Sequence, residues 1–230
     1  DKAQDALISQ KRHHINAAKR YYDAWLNLID YNGGKDIGDG CPRLPQKLDQ
    51  LVWLAGIISG LQALNHDILS GIGTGVPKNI AAQAERGIGC LNNSDWFGIP
   101  LALKATVWSL LPGALPEGED AWERLEQADA LGEDAHVRLS HAFHIIAAYS
   151  KGEIDRVRMM IKRHAKQIEE HESNPDYRLL DVAATEVVQR MSDKMWTEAV
   201  GHRTPTGQLG TFWDENAADS IEPVELDDLF

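Results

Sequence analysis

The sequence predicts an all-α protein built of antiparallel helical hairpins. Three observations predict it. Apolar residues recur at helical spacing in nearly every segment, and no stretch alternates as a half-buried strand would. Clusters of Gly, Pro and Asn cut the chain into about eight such segments. The joins between the later segments are short, which makes successive helices antiparallel neighbours.

A first helix over residues 3–30 carries the stripe Leu7, Ile15, Ala18, Tyr22, Trp25 and Ile29, and stops at "YNGGKDIGDG". A loop closed by Pro42 and Pro45 leads to the second, 46–70, the most apolar of all. Its run from Gln50 to His66 holds no Asp, Glu, Lys or Arg. That run is shorter than the ~20 apolar residues a membrane span needs, so it reads as a buried central helix. The third helix, 77–91, begins with Pro77 in its first turn, where a missing N–H costs nothing, and breaks at "NNSDWFG". The fourth, 98–111, tolerates Pro100 for the same reason. The fifth, 119–131, ends at Gly132. Only Lys151 and Gly152 separate the sixth, 134–150, from the seventh, 153–173. Asn174 and Pro175 stop the seventh, and the eighth, 176–200, stops at Gly201.

The later hairpins repeat. Ala121, Leu125 and Ala128, shifted by 36 residues, become Val157, Ile161 and His164. A small–large–small stripe of this kind lets paired helices approach closely, as in tetratricopeptide repeats. The Trp-x-x-Leu-Gly opening of that consensus is missing, so the repeats are degenerate. Stacked hairpins each bury one face and leave a concave side for a ligand or partner. One helical domain is expected over 1–213, with pairs repeating from about 98 to 173, and an acidic tail over 214–230.

The formal net charge is −12. A general nucleic-acid surface is excluded, because phosphate binding needs clustered Lys and Arg. Residues 214–230 carry seven acids and no bases, leaving 28 acids against 23 bases, a net of −5, for the rest. The terminal "ELDDLF" combines acids with an apolar pair, and a cytosolic interaction protein docking through this tail is one alternative reading. The two cysteines, Cys41 and Cys90, form no metal-binding spacing. They read as two free thiols if the protein is cytosolic, the preferred reading, and as a disulfide if it is exported.

The sequence shows no catalytic signature: no nucleophile elbow, no phosphate loop and no dinucleotide fingerprint. "GIGTG" at 71–75 follows a helix rather than a strand and reads as a helix stop. What remains is a set of histidines. A hairpin turning at 152–153 brings residues whose numbers sum to about 305 to one level, which pairs His141 with His164, His144 with Ile161, and Ala148 with Val157. These inward faces gather His141, His144 and His164. They are candidates to line a polar ligand groove together with Trp108. The alternative is a metal-binding protein using the three imidazoles. Glu153 and Asp155, the nearest carboxylates on that hairpin, fall at its turn, so no metal site or cofactor is assigned.

Residues 95–161 carry one further pattern. Phe97-Gly98-Ile99-Pro100-Leu101-Ala102 opens a helix, Pro112-Gly113 forms a loop, Ala121, Leu125 and Ala128 form a stripe, and Gly152-Glu153 turns a helical pair. This order resembles the T components of tripartite ATP-independent periplasmic (TRAP) transporters. The resemblance implies an exported, often lipid-anchored, all-helical subunit without enzymatic activity. It implies association with a periplasmic solute-binding protein and an oligomer of copies with a ligand-passing channel.

Overall fold

The computed structural model describes residues 2–215; most of the expected acidic tail, 216–230, lies outside these. The described residues are all-helical, without strands. The helices are α1 (Lys2–Tyr31), α2 (Lys47–Ser70), α3 (Ile80–Ile88), α4 (Ile99–Leu110), α5 (Ala121–Asp134), α6 (Leu139–Lys151), α7 (Ile154–Glu170) and α8 (Arg178–Val200). A single 3-10 turn, Pro175–Tyr177, leads into α8. The segmentation expected from the glycines and prolines is therefore present.

The residues cluster into two compact units. The first comprises Asp1–Trp96 and Leu103–Ala121, the second Phe97–Ala102 and Trp122–Phe230. Helix α4 supplies its first turn to the second unit and its remainder to the first, so hairpin periodicity alone does not reveal the division.

In the first unit α1 and α2 run antiparallel. His14 meets His66 at one end and Tyr31 donates to Asp49 at the other. The helices approach closely because α2 has glycine where α1 has bulk. A Cβ on Gly60 would come within 2.2 Å of Trp25, and one on Gly56 within 2.7 Å of Leu28. Trp53, Leu54, Ile57 and Ala63 bury the core stripe, and Trp53 Nε1 donates to the Gly87 carbonyl of α3 at 2.9 Å. Two expectations fail here. Leu7, assigned to the inward stripe, is 59% exposed, because every described residue of α1 before His14 is exposed. Helix α2 is not enclosed on all sides either, since Val52, Ile68 and Leu69 are exposed.

Cys41 and Cys90 are disulfide-bonded, with Cα atoms 5.3 Å apart, which corrects the preferred reading of two free thiols. The bond ties the loop after α1 to the end of α3 across 49 positions. The pairing depends on that tertiary approach, which no local pattern encodes.

In the second unit α6, α7 and α8 pack on one another around Ile145, Ala148, Val157, Met160, Ile161, Val188 and Met195. Phe212 closes this core. Gly152 adopts φ 74°, a left-handed cap that only glycine takes cheaply, and turns α6 into α7. Gly132 does not end the fifth helix, which continues to Asp134. Its missing Cβ makes room for the following turn: a methyl there would lie 2.7 Å from the Val137 carbonyl.

The Phe97-Gly98 pair has a similar cause. Gly98 has φ 78°, and a Cβ on it would meet the Ala128 carbonyl oxygen at 2.4 Å. Its own carbonyl accepts from Ala102 N, so it opens α4 while lying against α5. Phe97, itself at φ 53°, packs edge-on against Tyr177.

Among the described residues no helix is long and apolar enough to cross a membrane. The start of the expected tail is held in place. Asp214 and Glu215 pair with Arg158, and Glu215 with Lys162 at 2.5 Å, while the Arg158 guanidinium lies 4.3 Å from the Phe212 ring centre.

Candidate functional site: a buried histidine–carboxylate network

The hairpin register read from the sequence places His141 beside His164, and their Nδ1 atoms are 3.2 Å apart. His141, His144 and His164 are all fully buried. Trp108 is not among them. It belongs to the first unit, half-buried, with its indole N–H donating to Glu85 Oε1 at 3.1 Å. The four candidates therefore divide into an enclosed trio and a separate tryptophan.

The trio sits in a network whose other members come from α5, the start of α6, α7 and α8. His144 Nδ1 lies 2.6 Å from Asp129 Oδ2, with both side chains shut away from solvent. The far nitrogen of His144 faces Arg156 Nη1 at 3.4 Å, and Arg156 lies 4.6 Å over the Trp122 ring, which stacks near His144. His141 Nε2 stands 3.0 Å from Glu133 Oε1, at ion-pair distance but off the line of a good hydrogen bond. His164 Nε2 is 3.0 Å from Thr185 Oγ1.

Two arginines of α7 and one at the start of α6 hold the acids. Arg163 donates Nε to Glu133 at 2.6 Å and Nη1 to Glu126 at 2.7 Å. Arg138, fully buried, forks onto Asp181 with Nε at 2.9 Å and Nη2 at 2.6 Å, and donates Nη1 to the carbonyls of Gln167 and His171. Ser173 also donates to Asp181. A buried guanidinium with this many partners satisfies the rule that enclosed charges be paired and hydrogen-bonded.

The electrostatics follow the geometry. Burial pushes the His164 imidazole down to about 3, and the neighbouring His141 adds to the shift. Burial raises the Glu133 carboxyl, but the closeness of His141 and the hydrogen bonds from Arg163 outweigh it and hold the group at about 2. Asp181 is likewise lowered: its burial works against ionisation, and Arg138 and Ser173 overcome it.

Asp129, Glu133, Arg138 and Asp181 escape a reading confined to one hairpin, because their partners lie on other elements. One signal was available for Asp129. It lies four residues after Leu125 on the inward stripe, where an acid needs a partner. Arg138 offers no such signal, since it precedes the helix it serves. Among the described residues no group of three His, Cys, Asp or Glu is placed to hold a metal ion. His144 is instead committed to Asp129, and His141 and His164 to each other.

In the first unit a polar cleft of about 600 Å³ opens beside the disulfide, lined by Tyr31, Lys35, Asp36, Asp39 and Arg43. Its two acids and two bases balance. Comparison of the chain with protein-family models, with curated proteins and with solved structures finds no match.

Proposed function

We propose that the chain is a non-enzymatic helical binding protein of an oxidising compartment, an accessory subunit of the kind the T components of TRAP transporters provide, working with a periplasmic solute-binding protein. The observation that carries this reading is the Cys41–Cys90 disulfide. Structural disulfides persist outside the reducing cytosol, which favours export over the cytosolic alternative.

Two further features support it. The most enclosed charges of the second unit are paired with one another, Arg138 with Asp181 and His144 with Asp129, and such pairing suits a scaffold better than a reactive centre. The Phe97-Gly98-x-Pro100 segment, on which the resemblance rests, performs a specific structural task, opening α4 where Gly98 lies against α5.

The test is calorimetric titration of the oxidised protein with the periplasmic solute-binding proteins of its native host. Binding at about 1 μM or tighter is the expected result. Absence of binding at protein concentrations of about 100 μM overturns the reading. A thiol assay on protein recovered from the native host adds a second check: no thiol is expected before reduction and two after it.

A further inference from the structure

The direction of each hydrogen bond in the buried network can be followed from a fixed end. Thr185 Oγ1 lies 3.0 Å from the Asp181 carbonyl, which only accepts, so the hydroxyl donates its hydrogen there. Toward His164 the same oxygen must then accept, and His164 carries its proton on Nε2. His164 Nδ1 is left bare and accepts from His141 Nδ1–H across 3.2 Å. The remaining nitrogen of His141, Nε2, stands 3.0 Å from a carboxylate oxygen of Glu133. A bare nitrogen there would set lone pair against lone pair in an enclosed site, so Nε2 carries a proton as well.

The other buried histidine cannot take that proton. His144 Nδ1 donates to Asp129, and its Nε2 faces the Arg156 guanidinium, which has only donors. His144 is therefore neutral.

We infer that His141 is a buried imidazolium that latches α5, α6, α7 and α8 together through a single directed chain, Glu133–His141–His164–Thr185. The groups that face this latch are Glu133 from α5, His164 from α7 with Arg163 braced on Glu133, and Thr185 and Asp181 from α8. Arg138 and His144 belong to α6's own side. The low values of Glu133 and His164 suit the arrangement, because a cation between them favours an ionised acid and a neutral neighbour. This inference does not depend on the accessory-subunit reading.

Histidine-ring nitrogen spectra of the full chain at neutral pH test it. His141 is expected to show two protonated nitrogens, while His144 shows a bare Nε2 and His164 a bare Nδ1. A bare nitrogen on His141 overturns the inference. The His141 signals are identified by their loss in His141→Gln or, if that variant does not fold, by through-bond assignment from the backbone. In Glu133→Gln the charge that holds the second proton is gone, and His141 is expected to show one bare nitrogen. Unchanged His141 signals in that variant overturn the latch.

Discussion

The two units bury different things. In the first, the buried polar side chains among the described residues are the hydroxyls Ser70, Thr106 and Ser109. Its helices are drawn together by glycine facing tryptophan and by one covalent bond. The second encloses Asp129, Arg138, His141, His144, His164 and Asp181. Apolar packing tolerates small shifts in register, whereas a directed chain of charged groups does not, because each displaced partner leaves an enclosed charge unpaired. The contrast teaches that one helical chain can be pinned either covalently or by charge, and that the two regions should fail under different insults.

The sharpest way to break the second unit is to remove one member of its most enclosed pair. Asp181→Ala leaves Arg138 buried without a counter-charge, and a loss of about 3–5 kcal/mol is expected in urea unfolding. Replacing both partners by apolar residues of similar volume is expected to cost much less, since no charge is then stranded. For the first unit the corresponding insult is reduction. The disulfide closes a loop between positions 49 apart, and Cys41→Ser with Cys90→Ser should cost about 2–4 kcal/mol, read as a lower urea midpoint. A reductant should lower the wild-type midpoint similarly and leave the double variant unmoved.

The contrast also explains what could be read in the residues. The α6–α7 register was legible because a glycine turn and an inward stripe are local signals, and they brought His141 to His164. The acids that complete the network were not, because Asp129 and Glu133 look like any charged helix face until α6 and α7 supply Arg163 and the histidines. Gly132 was misread as a stop for a related reason: its role is to admit the backbone near Val137, a contact outside its own helix. The cysteine pair belongs to the same class, since the closeness of Cys41 to Cys90 is made by the packing of α1 and of α3 on α2. Leu7 failed through length: helical spacing marks it as apolar-faced, but nothing in spacing says that the start of α1 goes without cover.

Acid should separate the units further. His164 is held neutral far below its ordinary 6.5, so below that value the unfolded chain takes up a proton that the native unit refuses. Glu133 is held ionised down to about 2 against an ordinary 4.5, so its contribution is present above 4.5 and is lost as pH falls toward 2. Both effects make stability fall with acidification. The urea midpoint should drop between about pH 6.5 and pH 3, and His164→Gln should flatten the upper part of that drop. A midpoint independent of pH across this range would contradict the burial of an uncharged His164.

The smallest effect tests the comparison on matched chemistry. His14 and His66 in the first unit meet Nδ1 to Nδ1 at 2.8 Å, nearly the contact that His141 and His164 make in the second. The difference is setting. His14 and His66 are only partly covered, with Tyr21 stacked on His66, and water can replace a lost partner. An exposed polar contact of this sort contributes little net stability, because folding exchanges it for an equivalent contact with solvent. His66→Gln should therefore change the urea midpoint by less than about 1 kcal/mol equivalent, and His164→Gln by more, since it leaves His141 and Thr185 without their shared partner in an enclosed site. If both variants cost the same, burial is not what distinguishes the two histidine pairs, and the separation of the molecule into a charge-pinned and a covalently pinned unit loses its energetic basis.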